Sequence, residues 1–500
     1  MKAITHIAKT IARRLFSLPS LGEVLGVGLL LFSSCDSYID ITPKGAITVD
    51  SVGQYYELIV NPLRSYYPSS FIMLSDNQWA KESDILGYES LSSDGINFTF
   101  NEQADRTIIG DNNLYENMYS FILRSNLVID NVDAAPGSDT KRVLAKAEAR
   151  VFRAWDHFLA VNTFAKAYNP ATADTDGGVC IMDHYDLEAT PQKSTVAQVY
   201  DFIIRELEEA APLLQEKPVN IYHPNRAYGY ALLAKVYLFH RDWAKAQEAA
   251  AQSLKLNAQL ADYNLISNAG GTARYKNFAK DGNPEVLSYH WMSGWGGAEQ
   301  VALYHYGIIS PELKQLFEAD DLRYSLFLRD TGSSITNWFD AGSGAAIWTP
   351  AITNLDRFTY MSVGMRTAEV YLIMAEALAR QNSLSEATDY VNRLRQKRIK
   401  SSSASVEIAV PASQTEMMQT IINERRKELL FGFNRFFDLK RFNTEPEYQK
   451  TVTRVFPVVN ITEAHPQQTY TLRPDSKLYI IPFPRSASDK NPNLTQNTNE

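Results

Sequence analysis

Two stretches of the chain carry the same spacing of small and aromatic residues, and that spacing restricts how they can pack. Residues 228–255 read YGYALLAKVYLFHRDWAKAQEAAAQSLK. Leu233 and Ala234 are followed by Tyr237, a polar turn at His240, Arg241 and Asp242, and then Ala246, Ala250 and Ser253. Residues 371–395 repeat the arrangement: Tyr371, Met374, Ala375 and Leu378, a turn at Gln381, Asn382 and Ser383, then Ala387, Val391 and Leu394. Apolar residues at helical spacing on both sides of each turn predict two helices per stretch. Ala234 and Ala246 are twelve apart, as are Ala375 and Ala387. A small residue at each place lets two antiparallel helices approach closely.

This is the tetratricopeptide helix-turn-helix pattern. The two copies lie about 140 residues apart, so a simple tandem array is excluded and other units must be degenerate or interrupted. Helical periodicity begins near Val52 and returns over 112–132 and 141–164, the latter with Val143, Ala147, Val151, Ala154, Trp155, Phe158 and Leu159 on its apolar positions. A further helix is predicted over 196–214, capped by Ser194 with Gln198 near the capping-box position. A last long one is predicted over 414–437. Residues 75–110 read as loop, and the tail as strand and loop. Residues 265–360 lose the helical period and are rich in Gly, Ser, Trp and Tyr. A stretch that long without regular structure is usually functional or a subdomain of its own. The chain is therefore expected to be mainly α.

The start of the chain reads as an address. Lys2, Lys9, Arg13 and Arg14 precede an apolar run ending in VLGVGLLLFSSC. The unbroken apolar part after Glu23 is about ten residues, and a membrane span needs roughly 20. A secretory signal peptide over residues 1–34 is the expected reading. Ser33 and Ser34 before Cys35 look like a bacterial lipobox, with Phe32 where Leu, Val or Ile is usual. Cys35 would then carry the lipid, each buried methylene contributing about 0.8 kcal/mol of anchoring. Removal of residues 1–34 takes away four cations and one anion, so the mature chain carries 45 Lys and Arg against 56 Asp and Glu, a formal −11. Nucleic-acid binding through bulk charge is unlike so acidic a chain. Cys180 is left as the one thiol, with no intramolecular disulfide to make.

Catalytic motifs are missing: there is no G-x-x-x-x-G-K-[ST], no H-E-x-x-H and no G-x-S-x-G. The eight histidines are scattered. Asp174-Thr175-Asp176-Gly177 is half a calcium loop without its remaining ligands, and reads as a polar turn. No catalytic residue, metal site or cofactor is assigned, and the expected function is not enzymatic.

CDSYIDITP from Cys35, KAEARVFRAWDHFLAVNTF, MRTAEVYLIMAEALAR with VNRLRQKR, and INERRKELLFGFNRFFDLKRFN with IPFPRSASDKNPNLTQN follow one another in that order, and together they resemble the SusD/RagB family of Bacteroidetes outer-membrane lipoproteins. The mature start, Cys35-Asp36-Ser37-Tyr38-Ile39-Asp40-Ile41-Thr42-Pro43, resembles that family's lipidated cysteine and tether. KAEARVFRAWDHFLAVNTF matches its early helix. MRTAEVYLIMAEALAR, followed by VNRLRQKR with Asn392, Arg393 and Arg395, resembles its R-x-A-E-x-Y-L-x-x-A-E-A-L helix and partner. INERRKELLFGFNRFFDLKRFN and the terminal IPFPRSASDKNPNLTQN resemble its E-R-R-x-E-L…R-x-F-D-L-x-R helix and N-P-x-x-x-Q-N ending. The resemblance implies a scaffold of about four tetratricopeptide-like units with an irregular, loop-rich ligand-binding part. It also implies a lid over a TonB-dependent, SusC-like transporter, to which an oligomeric nutrient, usually a glycan, is passed. The expected place is the outer membrane at the cell surface. On this basis the chain divides into 1–34 (signal peptide), 35–50 (lipidated tether), 51–220 (SusD-like N-terminal region), 221–264 (tetratricopeptide-like unit), 265–360 (loop-rich ligand-binding region) and 361–500 (RagB/SusD-like C-terminal region).

The family motifs mark scaffold. Glu424, Arg425, Arg426, Glu428, Arg435, Asp438 and Arg441 look like a catalytic cluster, but Arg425–Glu428 and Arg435–Asp438 are i,i+3 neighbours on a helix and are expected to pair. Arg366, Glu369 and Glu376 are expected to be structural too.

The ligand site is sought among the aromatics, of which the chain has 27 Tyr, 23 Phe and 7 Trp, more than a helical core obviously uses. A sugar offers an apolar face and a fringe of hydroxyls, matched by flat aromatic rings and polar side chains. Trp155 and Trp243 fall in helical patterns and are assigned to the core. Trp79, Trp291, Trp295, Trp338 and Trp348 fall in loop-like stretches, and two or three of them are expected to line the site. Tyr304 and Tyr306 are helpers, and Asp76, Asn77 and Asn337 are polar candidates. The same aromatic loops suit a peptide cargo equally. A secreted glycan hydrolase and a repeat adaptor that binds protein on its concave face are the other classes considered.

Overall fold

The computed structural model describes residues 49–60, 65–66, 69–79, 93–107, 112–268, 283–292, 308–327, 329–330, 336–337, 364–430, 433–457 and 466–498. The body begins at Ser51, which starts α1 (Val52–Leu58). The longer helices that follow are α2 (Asn112–Asn131), α3 (Asp139–Phe164), α4 (Val196–Ala210), α5 (Arg226–His240), α6 (Trp243–Leu256), α7 (Thr367–Arg380), α8 (Leu384–Arg395), α9 (Gln414–Glu428) and α10 (Asn434–Phe442). The mainly α expectation holds. Among the described residues no helix is long and apolar enough to cross a membrane.

From α2 to α9 successive long helices pack on one another: α2 on α3, α3 on α4, α4 on α5, α5 on α6, α7 on α8 and α8 on α9. α6 also packs directly on α7, although more than a hundred residues separate them in sequence. The two sequence copies are thus neighbours in space, and the stretch between them leaves the helical array unbroken. Both turns use the same device. Arg241 has φ +67° and Asn382 φ +62°, left-handed conformations that end α5 and α7 and reverse the chain. Ala234, Ala246, Ala375 and Ala387 are fully buried between these helices. α3 is the central element, with nearly all of its residues from Leu144 onwards buried. Trp155, Phe158, Leu159 and Val161 at its middle are fully covered, each worth roughly 1.5–3 kcal/mol against exposure.

Three local expectations need correction. The cap of α4 is Thr195, not Ser194. Its hydroxyl accepts from Gln198 N at 3.2 Å while Gln198 Oε1 accepts from Thr195 N at 2.9 Å, which requires Gln198 at the third helical position. The last long helix is two. α9 stops at Glu428, whose carbonyl oxygen accepts from Arg366 Nη2 at 2.9 Å, and α10 starts afresh at Asn434. The interruption falls at the sequence LLFGF, where a glycine weakens the helical pattern. Trp155 is core as expected, but Trp243 at the start of α6 is only partly buried, with the Arg380 guanidinium 4.9 Å above its ring.

The C-terminal motif acts as a clip made of side-chain amides. Asn497 Nδ2 donates to Phe164 O and Gly178 O, both at 2.8 Å, and its Oδ1 accepts from Lys193 Nζ at 2.6 Å. Gln496 exchanges two hydrogen bonds with the backbone of Phe483. Asn491 and Asn493 donate to the carbonyls of Pro191 and Thr190. The tail is thereby tied to the end of α3 and to the antiparallel pair Gly177–Cys180 and Lys193–Thr195. Gly178 is needed there, because a Cβ would lie 2.8 Å from the backbone of Ser194 and Thr195. Asn497→Ala is expected to cost about 2 kcal/mol, from three bonds at roughly 0.5–1.5 kcal/mol each. A lower urea midpoint would report it, and an unchanged midpoint would show that the clip contributes nothing.

Candidate functional site

The site is built on a short buried segment. Helix Ser69–Met73 packs into the core and leads through Ser75, Asp76 and Asn77 to the two-residue strand Gln78–Trp79. That strand pairs antiparallel with Ile308–Ile309, with Trp79 opposite Ile308. Ser310 fastens the other end: its N–H donates to Asn77 O at 2.9 Å and its hydroxyl to Asp76 O at 2.7 Å. Arg454, on strand Val452–Pro457, donates to the carbonyls of Met73 and Ser75 at 2.7 Å each and to Phe98 O at 2.9 Å. Its guanidinium lies over the Phe98 and Phe100 rings, at 4.5 and 4.4 Å. One buried arginine thus satisfies three carbonyls that no helix or sheet would serve.

Asp76 is the electrostatic centre. Arg435 binds its carboxylate with two hydrogen bonds, 2.6 and 2.8 Å, while Lys450 and Arg426 approach at 3.0 and 3.2 Å. Burial raises the pKa of this carboxyl, but Arg435, Arg426 and Lys450 outweigh burial and hold it well below the usual carboxylate range. Asn77 Oδ1 accepts from Arg426 Nε at 2.9 Å. Glu312, half exposed on the short helix Pro311–Leu316, accepts from Arg426 Nη1 at 2.6 Å and from Lys450. Burial raises its pKa too, and Arg426 and Lys450 again reverse the direction, so it stays ionised at neutral pH.

Between these elements lies a cavity of ≈ 220 Å³, walled by Trp79, Asp76, Ser310, Glu312 and the start of strand Val452–Pro457. The Trp79 ring is partly exposed and braced by Phe456, ring centres 4.6 Å apart. An aromatic plane beside ionised oxygens and hydroxyls can take a ligand with one apolar face and a polar edge.

The residues singled out from sequence meet here in part. Trp79 and Asp76 line the cavity, whereas Asn77 is turned to Arg426. Asn337 lies in strand Thr336–Asn337, which pairs with Ile308 on the far side of the same four-stranded sheet. Backbone register therefore aligns Trp79, Ile308, Asn337 and Arg329 in one row. Trp291 is in strand Trp291–Met292, which joins a different sheet, parallel to Ser65–Tyr66. Cys35, Trp295, Trp338, Trp348, Tyr304 and Tyr306 lie outside the described residues. Ser310, Glu312 and Lys450 were missed. No pattern marks them, since each matters only because the chain folds back onto Asp76.

The charged residues of the family motifs are scaffold, but their pairing differs from the helical-neighbour expectation. Arg425 binds Asp438 at 2.8 and 3.0 Å, and Arg441 binds both Asp438 and Glu376. Arg435 binds Asp76 rather than Asp438. Glu428 receives Arg323, Arg366 and Arg398, and Glu369 pairs with Lys235 at 2.9 Å. Helical neighbours still pair in places, as Arg441–Asp438 and Lys427–Glu424 do, but these side chains are buried at helix junctions, where cross-element partners share the dry space as well. Asp176, in the half calcium loop, is bound by Lys166 and Thr172. Among the described residues no group of three or more His, Cys, Asp or Glu is placed to hold a metal ion.

A helical array carrying a polar cavity with an aromatic wall places the molecule among helical binding proteins. Two family models match it: the SusD family over residues 330–499, and a SusD-like model described as starch-binding associating with outer membrane over residues 53–238. The chain belongs to the SusD/RagB family, whose members are carbohydrate-binding proteins associated with the outer membrane. It is 27% identical to SusD-like protein P2 of Formosa agariphila over 442 residues, 79% of this chain and 83% of that one. Among solved structures it is similar to a SusD superfamily protein from Bacteroides thetaiotaomicron (TM-score 0.68, 20% identity, 89% and 98% of the two chains). It is also similar to a laminarin-binding SusD-like protein (TM-score 0.60, 18% identity, 90% and 98%). At such identities the likeness shows a shared fold.

Proposed function

We propose that the protein is a lipid-anchored cell-surface binding protein that captures an oligosaccharide and delivers it to a SusC-like, TonB-dependent transporter, leaving hydrolysis to other proteins. The observation that carries this is Trp79, a partly exposed indole on the wall of a polar cavity. An indole held in that position offers a stacking plane for a sugar ring, with Asp76, Ser310 and Glu312 at its fringe. Family membership supports the carbohydrate class, and the laminarin-binding neighbour is an example of it on the same fold. Asn337, in the same row of the sheet, is the next contributor, followed by Trp291, Trp295, Trp338, Trp348, Tyr304 and Tyr306.

Calorimetric titration of the mature chain with neutral glucan hexaoses tests the proposal. Trp79→Ala is expected to weaken binding tenfold or more, about 1.4 kcal/mol, without changing the thermal midpoint by more than a few degrees. Unchanged affinity would remove Trp79 from the site. Cys35→Ala is expected to move the protein from the membrane to the soluble fraction on cell fractionation; retention in the membrane would end the anchor assignment.

A further inference from the structure

The ion-paired wall behind Trp79 has a second side. Arg426, Arg435 and Lys450, the cations that hold Asp76, also border a separate cavity of ≈ 370 Å³ between α9, α10, the turn Pro446–Tyr448 and helix Pro311–Leu316. Glu312 borders both cavities. The volume falls within the roughly 300–1,000 Å³ common for small-molecule sites.

The walls specify what would occupy it. Charge is balanced: Arg426, Arg435 and Lys450 stand against Asp76 and Glu312, which they bind, and Glu447 on the rim. No net charge is left to select an anion or a cation. The remaining polar groups are amides. Gln419 and Asn423 sit one helical turn apart on α9, with Gln419 Nε2 donating to Asn423 Oδ1 at 3.0 Å. That bond leaves Gln419 Oε1 as an acceptor and Asn423 Nδ2 as a donor. Gln449 spends its amide N–H on Asn443 O at 3.0 Å and keeps its carbonyl oxygen. Donors and acceptors are therefore mixed, as hydroxyls require. Tyr448 supplies the aromatic element: its ring is half-buried, with Arg380 4.9 Å over one face and Phe442 meeting it edge-on at 6.1 Å.

We propose that this second cavity is a saccharide subsite for neutral sugar residues, built from Tyr448, Asn423, Gln419 and Gln449 and joined to the Trp79 cavity across Glu312. It rests on the glycan-binding function proposed above and assigns that function a second contact region. An oligosaccharide long enough to cross Glu312 engages both.

The test titrates the mature chain with a panel of neutral hexaoses (laminari-, malto-, cello- and mannohexaose) and with tetragalacturonate. Tyr448→Ala is expected to weaken the bound hexaose about tenfold. The double variant Asn423→Ala/Gln449→Ala, which alters partly or fully exposed side chains and should fold normally, is expected to weaken it at least fivefold. If both variants bind within twofold of the wild type while Trp79→Ala loses binding, the second subsite is overturned and the function above stands. Binding that survives all three changes removes both cavities from the site. Tighter binding of tetragalacturonate than of any hexaose overturns the neutral class. A wild type that binds no hexaose overturns the subsite and the proposed function together.

Discussion

Glu428→Ala is expected to unfold the protein or to cost at least about 3–5 kcal/mol of stability. Glu428 is fully buried, and its two oxygens accept from Arg398 at 2.9 and 3.0 Å, from Arg366 at 2.9 Å and from Arg323 at 3.3 Å. Arg398 and Arg366 share Glu285 as a second partner, and Arg323 leans on Asp321 and Glu424. Removing the central carboxylate leaves three dry guanidiniums short of one anion, and the desolvation already incurred is not returned. Glu428→Gln keeps the shape and one acceptor oxygen but turns an NH2 donor toward a guanidinium, so it should lose stability, though less than the alanine variant. Urea denaturation of the two variants checks this ordering; a wild-type midpoint for Glu428→Ala would mean that the network carries no stability. The same cluster sets an acid limit. Burial pushes the Glu428 pKa up, but Arg398 and Arg366 outweigh it and bring it down to about 2; Arg425 and Arg441 do the same for Asp438. Both folded values lie below the unfolded values of about 4, so their stabilisation is present above pH ~4 and is lost as pH falls toward 2. Unfolding by acid should therefore set in between about pH 4 and 2, and a midpoint stability flat across that window would count against the pairing.

The second large effect is expected from Asp76→Asn. It should cost about 3 kcal/mol and weaken glycan binding at the same time. Asp76 gathers Arg435 from α10, Arg426 from α9 and Lys450 from the segment beyond. It is also the residue whose carbonyl Ser310 grips, three positions before Trp79. A neutral amide leaves three cations around one site without their shared central carboxylate, and the segment that presents Trp79 loses its purchase on α9 and α10. Denaturation and titration should move together. Lost binding at unchanged stability would instead make Asp76 a direct ligand contact.

Much of the scaffold was legible. Ala234 with Ala246 and Ala375 with Ala387 announced two closely packed helix pairs, because close packing leaves a mark on residue size at fixed spacing. The turns were legible as polar breaks; Asn382 is of a type that tolerates the left-handed conformation, but nothing in Arg241 marked one. The site was legible only in its aromatic member. Trp79 stood out as an indole without a helical period, but Ser310, Glu312 and Lys450 are common residue types in unremarkable surroundings.

The one-dimensional pattern determined what is local: the helices, their pairing and turns, and the burial of Trp155, though not that of Trp243. It also held the family motifs. The tertiary structure decided which charges meet. Arg435 lies three residues from Asp438, yet pairs with Asp76, 359 positions away; Arg426 reaches Asn77 across 349. Periodicity carries information over one or two helical turns. A buried ion instead takes whichever partner the fold brings into the same water-free volume, since an unpaired charge there is far costlier than a broken helical neighbour contact.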